Sequence, residues 1–344
     1  MSLRELWIVG RYYFHKAVHQ ILSELVCFRY GFHRELGLAY GKLGRNFSFS
    51  GTILFAFWDP QLIHLGDQLF YEPIIRHLRS RYRLLVAPPA AFREYFEALG
   101  VEVVTREESK KMKIRGAVVV SKDDLAYQVR RTLGPGNVFI GNNYPMLRGD
   151  EKITVLLART ILRVLQEYGA PVVAAAELSG VDFNPSLPAS LAQKYQGEWS
   201  ARLAAGLPAG SGRGIFAYNA YVASNQLGIL GRRKLLEGMA RRLRAQGFRI
   251  VHIGSSRDRE LDPQHYDFVD LDLRGALSPA ALFGLFALPD VRGVISFDVF
   301  VAHVASLCGK ELHVVFKSAL LASQNKIRAR FLPMFPGRDD LLRE

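Results

Sequence analysis

The segments TILFAFW (residues 52–58) and LGDQLFYEP (residues 65–73) decide the fold of this chain. The first is an apolar run typical of a buried strand, and the second introduces an amphipathic segment over residues 74–82. Gly66 would allow a tight turn, and Asp67 could cap the first amides of the next helix. Ligands of doubly wound α/β domains bind at the carboxyl ends of the strands. Asp67 is therefore either a helix cap or a catalytic base, and its position alone favours the cap.

The same alternation of apolar strands and helical segments continues along most of the chain. It covers residues 51–206, stops at the Pro/Gly/Ser-rich stretch LPAGSGRG (residues 207–214) and then resumes as far as residue 325. With 344 residues, 49% of them hydrophobic, the chain can form about two domains with sizeable cores. We predict an α/β protein of two Rossmann-like domains, residues 51–206 and 207–325, that face each other across a cleft.

The two ends of the chain are predicted separately. Apolar residues recur at helical spacing between Leu3 and Phe28, so residues 1–50 are predicted to be an amphipathic helical extension. Charged residues interrupt this segment, which argues against a signal peptide and a transmembrane helix. The helix would suit a membrane surface, its own domain or a second subunit equally well. Residues 326–344 are expected to be a C-terminal tail. One conformation open to this tail is a helix that returns to the N-terminal domain.

The charge of the chain indicates an anionic partner. The net charge is +13, and between residues 211 and 260 ten Arg or Lys residues stand against three acidic ones. No nucleic-acid-binding motif accompanies this charge, so a phosphorylated glycolipid or the anionic cytoplasmic face of a membrane is the better candidate. The only cysteines, Cys27 and Cys308, are far apart. This pattern argues against structural zinc and disulfides and favours a cytoplasmic protein.

Two separated patterns carry a resemblance to a known family. The first is Gly66-Asp67 with Pro73 six residues after the acid, and the second is VISFD (residues 294–298) with His303 five residues later. The segment DLDLRGALS (residues 270–278) precedes the second pattern. Together they resemble G-D-x-x-x-x-x-P and D-S-G-x-x-H-L-A of the ADP-heptose:lipopolysaccharide heptosyltransferases, which belong to glycosyltransferase family 9 and have the GT-B fold. The resemblance spans roughly residues 52–320.

The resemblance implies an inverting, metal-independent glycosyltransferase without a cofactor. It would move a sugar, heptose by analogy, from a nucleotide-diphosphate donor to a lipopolysaccharide core or a related surface glycan. Asp67 matches the family's catalytic base, and Gly66 beside it would contact the acceptor. Asp298 and His303 match donor-site positions. One carboxylate that removes the proton from the attacking hydroxyl is what inverting transfer requires.

This chain also departs from the family pattern. Val299 and Phe300 replace the Ser-Gly of the donor motif, Lys317 replaces a glycine after the last strand, and Arg232 lies nearest to a family lysine motif. A phenylalanine is expected to admit donor phosphates to the backbone less readily than a glycine. A catalytically silent scaffold of the same fold, binding a partner or a membrane, is the alternative that these changes leave open.

The remaining candidate residues lie in loops after predicted strands. Gly254 and Ser255 follow one strand and are predicted to form a nucleotide loop. Four asparagines are candidates for contacts with acceptor hydroxyls, although each is equally well explained as a turn former. These asparagines are Asn142, Asn143, Asn219 and Asn225.

Overall fold

A computed structural model of the chain describes residues 14, 18, 21, 33–35, 38–42, 47–58, 65–122, 129, 132–134, 136–142, 153–171, 174–183, 186–207, 212–221, 232–276, 278–297, 299–315 and 342–343. The chain divides into two compact units. The first unit comprises Met1–His64 and Gln68–Phe183, and the second comprises Leu65–Asp67 and Asn184–Glu344. Within the described ranges, no helix has both the length and the apolar character required to cross a bilayer.

A seven-stranded sheet forms the centre of the first unit. Its strands are β1 (His33–Glu35), β2 (Leu38–Lys42), β3 (Thr52–Ala56), β4 (Arg83–Ala87), β5 (Glu102–Val103), β6 (Val118–Lys122) and β7 (Val138–Asn142). The sheet order is β1-β2-β7-β6-β3-β4-β5. The five strands from β7 to β5 pair in parallel, whereas β1 and β2 pair antiparallel at one edge. The parallel part thus has the doubly wound order that the sequence predicts.

Helices connect the strands of the first unit. They are α1 (Leu65–Leu69), which begins in the second unit, α2 (Glu72–Leu78), a 3₁₀ turn (Ala90–Phe92), α3 (Arg93–Ala98), α4 (Arg106–Lys111), α5 (Ile153–Glu167) and α6 (Ala174–Ser179). The side chains of β3 alternate between two cores. Leu54 and Ala56 belong to one core, and Phe55 packs beside Tyr71 on the other face.

Part of the predicted N-terminal helical extension is wrong. Residues 33–42 provide β1 and β2, because their backbone pairs with β7 at the edge of the sheet. Farther towards the N-terminus, Phe14, Val18 and Ile21 are helical, in agreement with the predicted amphipathic spacing, and their side chains are exposed.

The second unit has an all-parallel sheet of six strands. They are β8 (Ile215–Asn219), β9 (Arg249–His252), β10 (Leu271–Asp272), β11 (Val291–Phe297), β12 (Glu311–Val315) and β13 (Leu342–Arg343). The sheet order is β10-β9-β8-β11-β12-β13, which is the 3-2-1-4-5-6 order of a dinucleotide-binding domain. Because β13 pairs with β12, these last residues of the tail join the second unit as a strand and not as a helix.

The helices of the second unit are α7 (Ala189–Gly206), α8 (Arg233–Ala245), α9 (Ser256–Leu261), a 3₁₀ turn (Pro279–Ala281), α10 (Leu282–Ala287) and α11 (Phe300–Leu307). Helix α7 accounts for a difference from the predicted domain boundary. The sequence places that boundary at residues 206–207, whereas the contacts divide the chain after Phe183. The reason is that α7 packs on α10 and on the 3₁₀ turn before it, where the Trp199 indole donates a hydrogen bond of 2.6 Å to the Ala281 carbonyl.

This packing of α7 on α10 predicts opposite effects for two helical glycines. A Cβ at Gly284 would lie 2.5 Å from Tyr195 Cβ and 2.7 Å from its carbonyl carbon, so Gly284→Ala must push the helices apart. We expect Gly284→Ala to lower the free energy of unfolding by about 1–3 kcal/mol. A Cβ at Gly238 of α8 meets nothing within 4 Å. Gly238→Ala should therefore raise the free energy of unfolding by about 0.5–1 kcal/mol. Urea unfolding measures both changes, and changes of the same sign would refute the packing described.

Candidate functional site

The carboxyl edge of the second sheet provides the framework of the candidate site. The strand order reverses between β8 and β11, and ligands of doubly wound sheets bind at such a point. Asn219 ends β8 and pairs with Ser296 of β11. Helix α11 follows β11 closely along the chain, and Val299 is its N-cap residue.

The predicted nucleotide loop is built from interlocking contacts. Ser255 caps α9 in a reciprocal capping box with Asp258, whose carboxylate accepts a 2.8 Å bond from the Ser255 amide. At Gly254 φ is +157°, and a Cβ there would lie 2.3 Å from Asp258 Oδ2. Glycine is therefore required at position 254 for two reasons: the backbone lies too close to Asp258 for a side chain, and its positive φ disfavours other residues. Burial raises the pKa of Asp258, although the hydrogen bonds from Ser255 oppose the change.

A neighbouring loop holds the nucleotide loop in place. The Gly275 amide donates a 2.8 Å hydrogen bond to the Gly254 carbonyl. Beside it, Arg274 is buried and binds Asp272 with both Nε and Nη2. Burial alone would raise the pKa of Asp272, but the bonds from Arg274 outweigh it and lower the pKa to about 2. The segment DLDLRGALS thus contributes an ion pair that fixes the shape of this edge.

Helix α11 begins without the glycine that the family pattern would place there. Phe300 is its first residue, and Val299, the N-cap residue, has φ −144° and ψ 171°. Among the described residues only Lys113 combines a side chain with a positive φ, so Phe300 is in no strained conformation. The backbone at this turn therefore tolerates the departure from Ser-Gly, and the first turn of α11 still presents its amides at the carboxyl edge.

Gly66 brings the first motif to the second. Residues 65–67 cluster with the second unit, and a Cβ built on Gly66 would lie 3.0 Å from His303 Cδ2 and 3.6 Å from Phe300 Cα. His303 is only 6% exposed, so its ring has little room to move away. Gly66 lies inside α1 and is not among the positive-φ glycines, so close contact and not a turn requires the glycine.

Asp67 lies in the first turn of α1 and is partly exposed. The helix begins two residues earlier, at Leu65, and the N-cap of the next helix is Tyr71. Asp67 is therefore not the N-cap residue of either helix but the third residue of α1.

The structure describes three of the other predicted residues at least in part. Asn219 is buried, and its Nδ2 donates to the Ile253 carbonyl at 3.0 Å, so it positions the nucleotide loop. Arg232 is the N-cap residue of α8. Asn142 ends β7 in the first unit, but its side chain is outside the described part of the structure. Asp298, Asn143, Asn225 and Lys317 lie outside the described residues.

A polar cluster close to this edge is not evident from the sequence. Arg233 pairs with Asp262 and Tyr266, and its guanidinium carbon lies 5.4 Å from the centre of the Tyr266 ring. The His252 and Tyr218 rings lie 5.0 Å apart beside them. These partners are separated by up to 48 residues, so no local pattern indicates their contact. Among the described residues, no group of three or more His, Cys, Asp or Glu side chains could hold a metal ion.

Comparison with solved structures identifies the fold. No protein-family model and no curated protein sequence matches the chain. A glycosyl transferase family 9 structure from Veillonella parvula matches with a TM-score of 0.50 and 13% identity, over 83% of this chain and 90% of that one. This chain has the same fold. ADP-heptose lps heptosyltransferase II of E. coli matches with a TM-score of 0.46 and 16% identity, over 77% of this chain and 83% of that one. E. coli heptosyltransferase WaaC, in a structure with ADP-2-deoxy-2-fluoro heptose, matches with a TM-score of 0.41 and 12% identity. The match covers 77% of this chain and 87% of that one.

The buried His252 predicts a pH-dependent stability. Burial, together with the nearby charge of Arg274, lowers the pKa of His252 to about 3. Because an unfolded histidine has a pKa of about 6.5, the unfolded state binds more protons between these values. The contribution of His252 is thus complete above pH 6.5 and is lost as the pH falls.

Between pH 6.5 and 5 we expect the wild type to lose about 2 kcal/mol of unfolding free energy through this group. His252→Phe should abolish that loss, and His313→Phe, at a half-buried histidine, should retain it. Denaturant unfolding at several pH values measures the difference. An equal pH dependence in wild type and His252→Phe would contradict the burial of the histidine.

Proposed function

We propose that this protein is an inverting, metal-independent glycosyltransferase that uses a nucleotide-diphosphate sugar. The observation that carries the proposal is the contact of Gly66 with His303 and Phe300, which joins two motifs more than 230 residues apart. The matching fold and the loops at the carboxyl edge support it. The resemblance of both motifs to the heptosyltransferases supports heptose as the sugar and a lipopolysaccharide core or related glycan as the acceptor.

Asp67 is the proposed general base. Its carboxylate would accept the proton of an acceptor hydroxyl as that oxygen forms a bond to the anomeric carbon of the donor. The bond between the anomeric carbon and the diphosphate oxygen breaks on the opposite face, and the leaving nucleoside diphosphate keeps the electron pair. Attack opposite the leaving group inverts the anomeric configuration.

The leaving diphosphate requires positive charge or free amides. The first turn of α11 provides amides and the positive end of a helix dipole. Lys317, Asp298, His303 and Arg232 are proposed to hold the donor as the motif resemblance implies, and Gly254 and Ser255 to hold the nucleoside. The net charge of +13 supports a phosphorylated glycolipid acceptor and a location at the inner face of the cytoplasmic membrane.

The substitution Asp67→Asn tests the mechanism. The amide cannot take up the proton, so we expect kcat to fall by about 10²- to 10⁴-fold while donor binding is retained. Sugar transfer from a panel of nucleotide sugars, followed by mass spectrometry of the product, measures turnover.

The matched control is Asp267→Asn, which removes an exposed carboxylate paired with Arg241 and should leave kcat unchanged. Thermal stabilisation by ADP, UDP and GDP reports donor binding independently, because a native-state ligand raises the melting temperature. Full turnover by Asp67→Asn would eliminate Asp67 as the base. Absence of stabilisation by every nucleotide would eliminate the transferase proposal.

A further inference from the structure

Three helical residues near the N-terminus form an exposed apolar surface, here called the N-terminal ridge. Phe14, Val18 and Ile21 are 67%, 36% and 60% exposed, and with Leu235 they are the exposed large hydrophobic side chains of the described part of the chain. Because a helix makes one turn in about 3.6 residues, separations of four and three residues place all three on one side. An exposed apolar surface of this kind marks a contact with a protein or a membrane.

Helix α8 shows how packing on the chain itself changes the exposure of the same pattern. Its residues Leu236, Ala240 and Leu243 have the same separations of four and three residues, and they are buried because they belong to the core of the second unit. The exposed N-terminal ridge is therefore not packed on its own domain. Of the three positions that the sequence leaves open for this helix, a membrane surface and a second subunit remain.

The sequence around the N-terminal ridge favours a membrane. Helical spacing continues the apolar stripe in both directions along the sequence, through Trp7 and Leu25. The same spacing puts three arginines together on one flank of the stripe, namely Arg4, Arg11 and Arg29. Tryptophan and arginines beside an apolar stripe are typical of helices that lie in the interface of an anionic membrane. A second copy of the chain carries the same net charge of +13, so it is the less complementary partner.

We propose that the helix of the N-terminal ridge lies in the plane of an anionic membrane, with Phe14, Val18 and Ile21 inserted among the lipid headgroups. Trp7 enters the same layer, and the arginines of the flank bind lipid phosphates. The inference deepens the proposed function, on which it rests for the location at a membrane, and names the element that reaches the lipid. A protein held in this way meets a lipid-linked acceptor in the surface where that acceptor lies.

Tryptophan fluorescence of the full-length chain with lipid vesicles tests the insertion. The chain has three tryptophans, and two of them, Trp58 and Trp199, are already buried. We therefore expect vesicles that contain phosphatidylglycerol to shift the emission of Trp7 to shorter wavelength, and brominated lipids to quench it. Vesicles of phosphatidylcholine alone should have a much smaller effect, because they offer the arginines no net negative charge. Trp7→Phe should remove the spectral change but retain co-sedimentation with the vesicles, since phenylalanine is also apolar.

Charged substitutions on the ridge locate the contact. Phe14→Asp and Ile21→Asp should each weaken partitioning into the anionic vesicles at least about tenfold, because a carboxylate is repelled by lipid phosphates and does not enter the apolar layer. The matched control is Leu235→Asp, which places the same charge at an exposed leucine of the basic helix α8 and should retain wild-type partitioning. All three side chains are exposed, so the variants should melt at the same temperature as the wild type.

Several outcomes would overturn the inference. They are absence of vesicle binding, equal binding to both kinds of vesicle, wild-type partitioning of the double variant Phe14→Asp/Ile21→Asp, and an equal loss of partitioning in Leu235→Asp. Self-association that the double variant abolishes would instead place a second copy on the ridge, and a lowered melting temperature would place the ridge against the chain itself.

Nucleotide stabilisation of the same preparations separates this inference from the proposed function, because it does not involve the ridge. Stabilisation without vesicle binding would remove the membrane helix and leave the transferase proposal intact. Vesicle binding without stabilisation by any nucleotide would do the reverse.

Discussion

The close approach of Gly66 to His303 is the constraint on which the candidate site depends. At this position a hydrogen atom replaces a side chain, so α1 can lie against the buried histidine and the first turn of α11. Asp67, the next residue of α1, belongs to the same compact unit as this contact.

The rest of the second unit fixes the edge at which this contact occurs. Gly254 approaches Asp258 too closely for any side chain, and Gly275 bonds to the carbonyl of Gly254. The buried pair of Arg274 and Asp272 holds the adjacent turn. Each contact leaves a backbone segment in one position, which is what binding a diphosphate through amides requires. The Val299-Phe300 departure is compatible with this scheme, because amides belong to every residue type except proline.

The sequence predicts much of the fold, because regular alternation of strands and helices has few compact solutions. Both doubly wound sheets, the parallel strand pairing and the placement of Gly254 at a strand end follow from apolar periodicity and glycine positions. The N-terminal hairpin cannot be predicted from these features. Residues such as His33 and Arg34 show no strand periodicity, and they form β1 only because they pair at the edge of the sheet. The domain boundary also differs, because LPAGSGRG looks like a linker, whereas α7 is held by a hydrogen bond from Trp199 to Ala281, 82 residues later. The cluster around Arg233 is likewise formed by residues that are close in space but distant along the chain.

A double-mutant cycle between Gly66 and His303 tests the central contact most directly. In the wild-type background Gly66→Ala should lower the free energy of unfolding by about 1–3 kcal/mol, because the new methyl group meets the buried ring. In a His303→Ala background the same change should be neutral or stabilising, as for an ordinary alanine in a helix, giving a coupling of at least about 1 kcal/mol. Urea unfolding of the four proteins provides the measurement. An equal cost of Gly66→Ala in both backgrounds would show that the two residues do not touch and would contradict the account of the site.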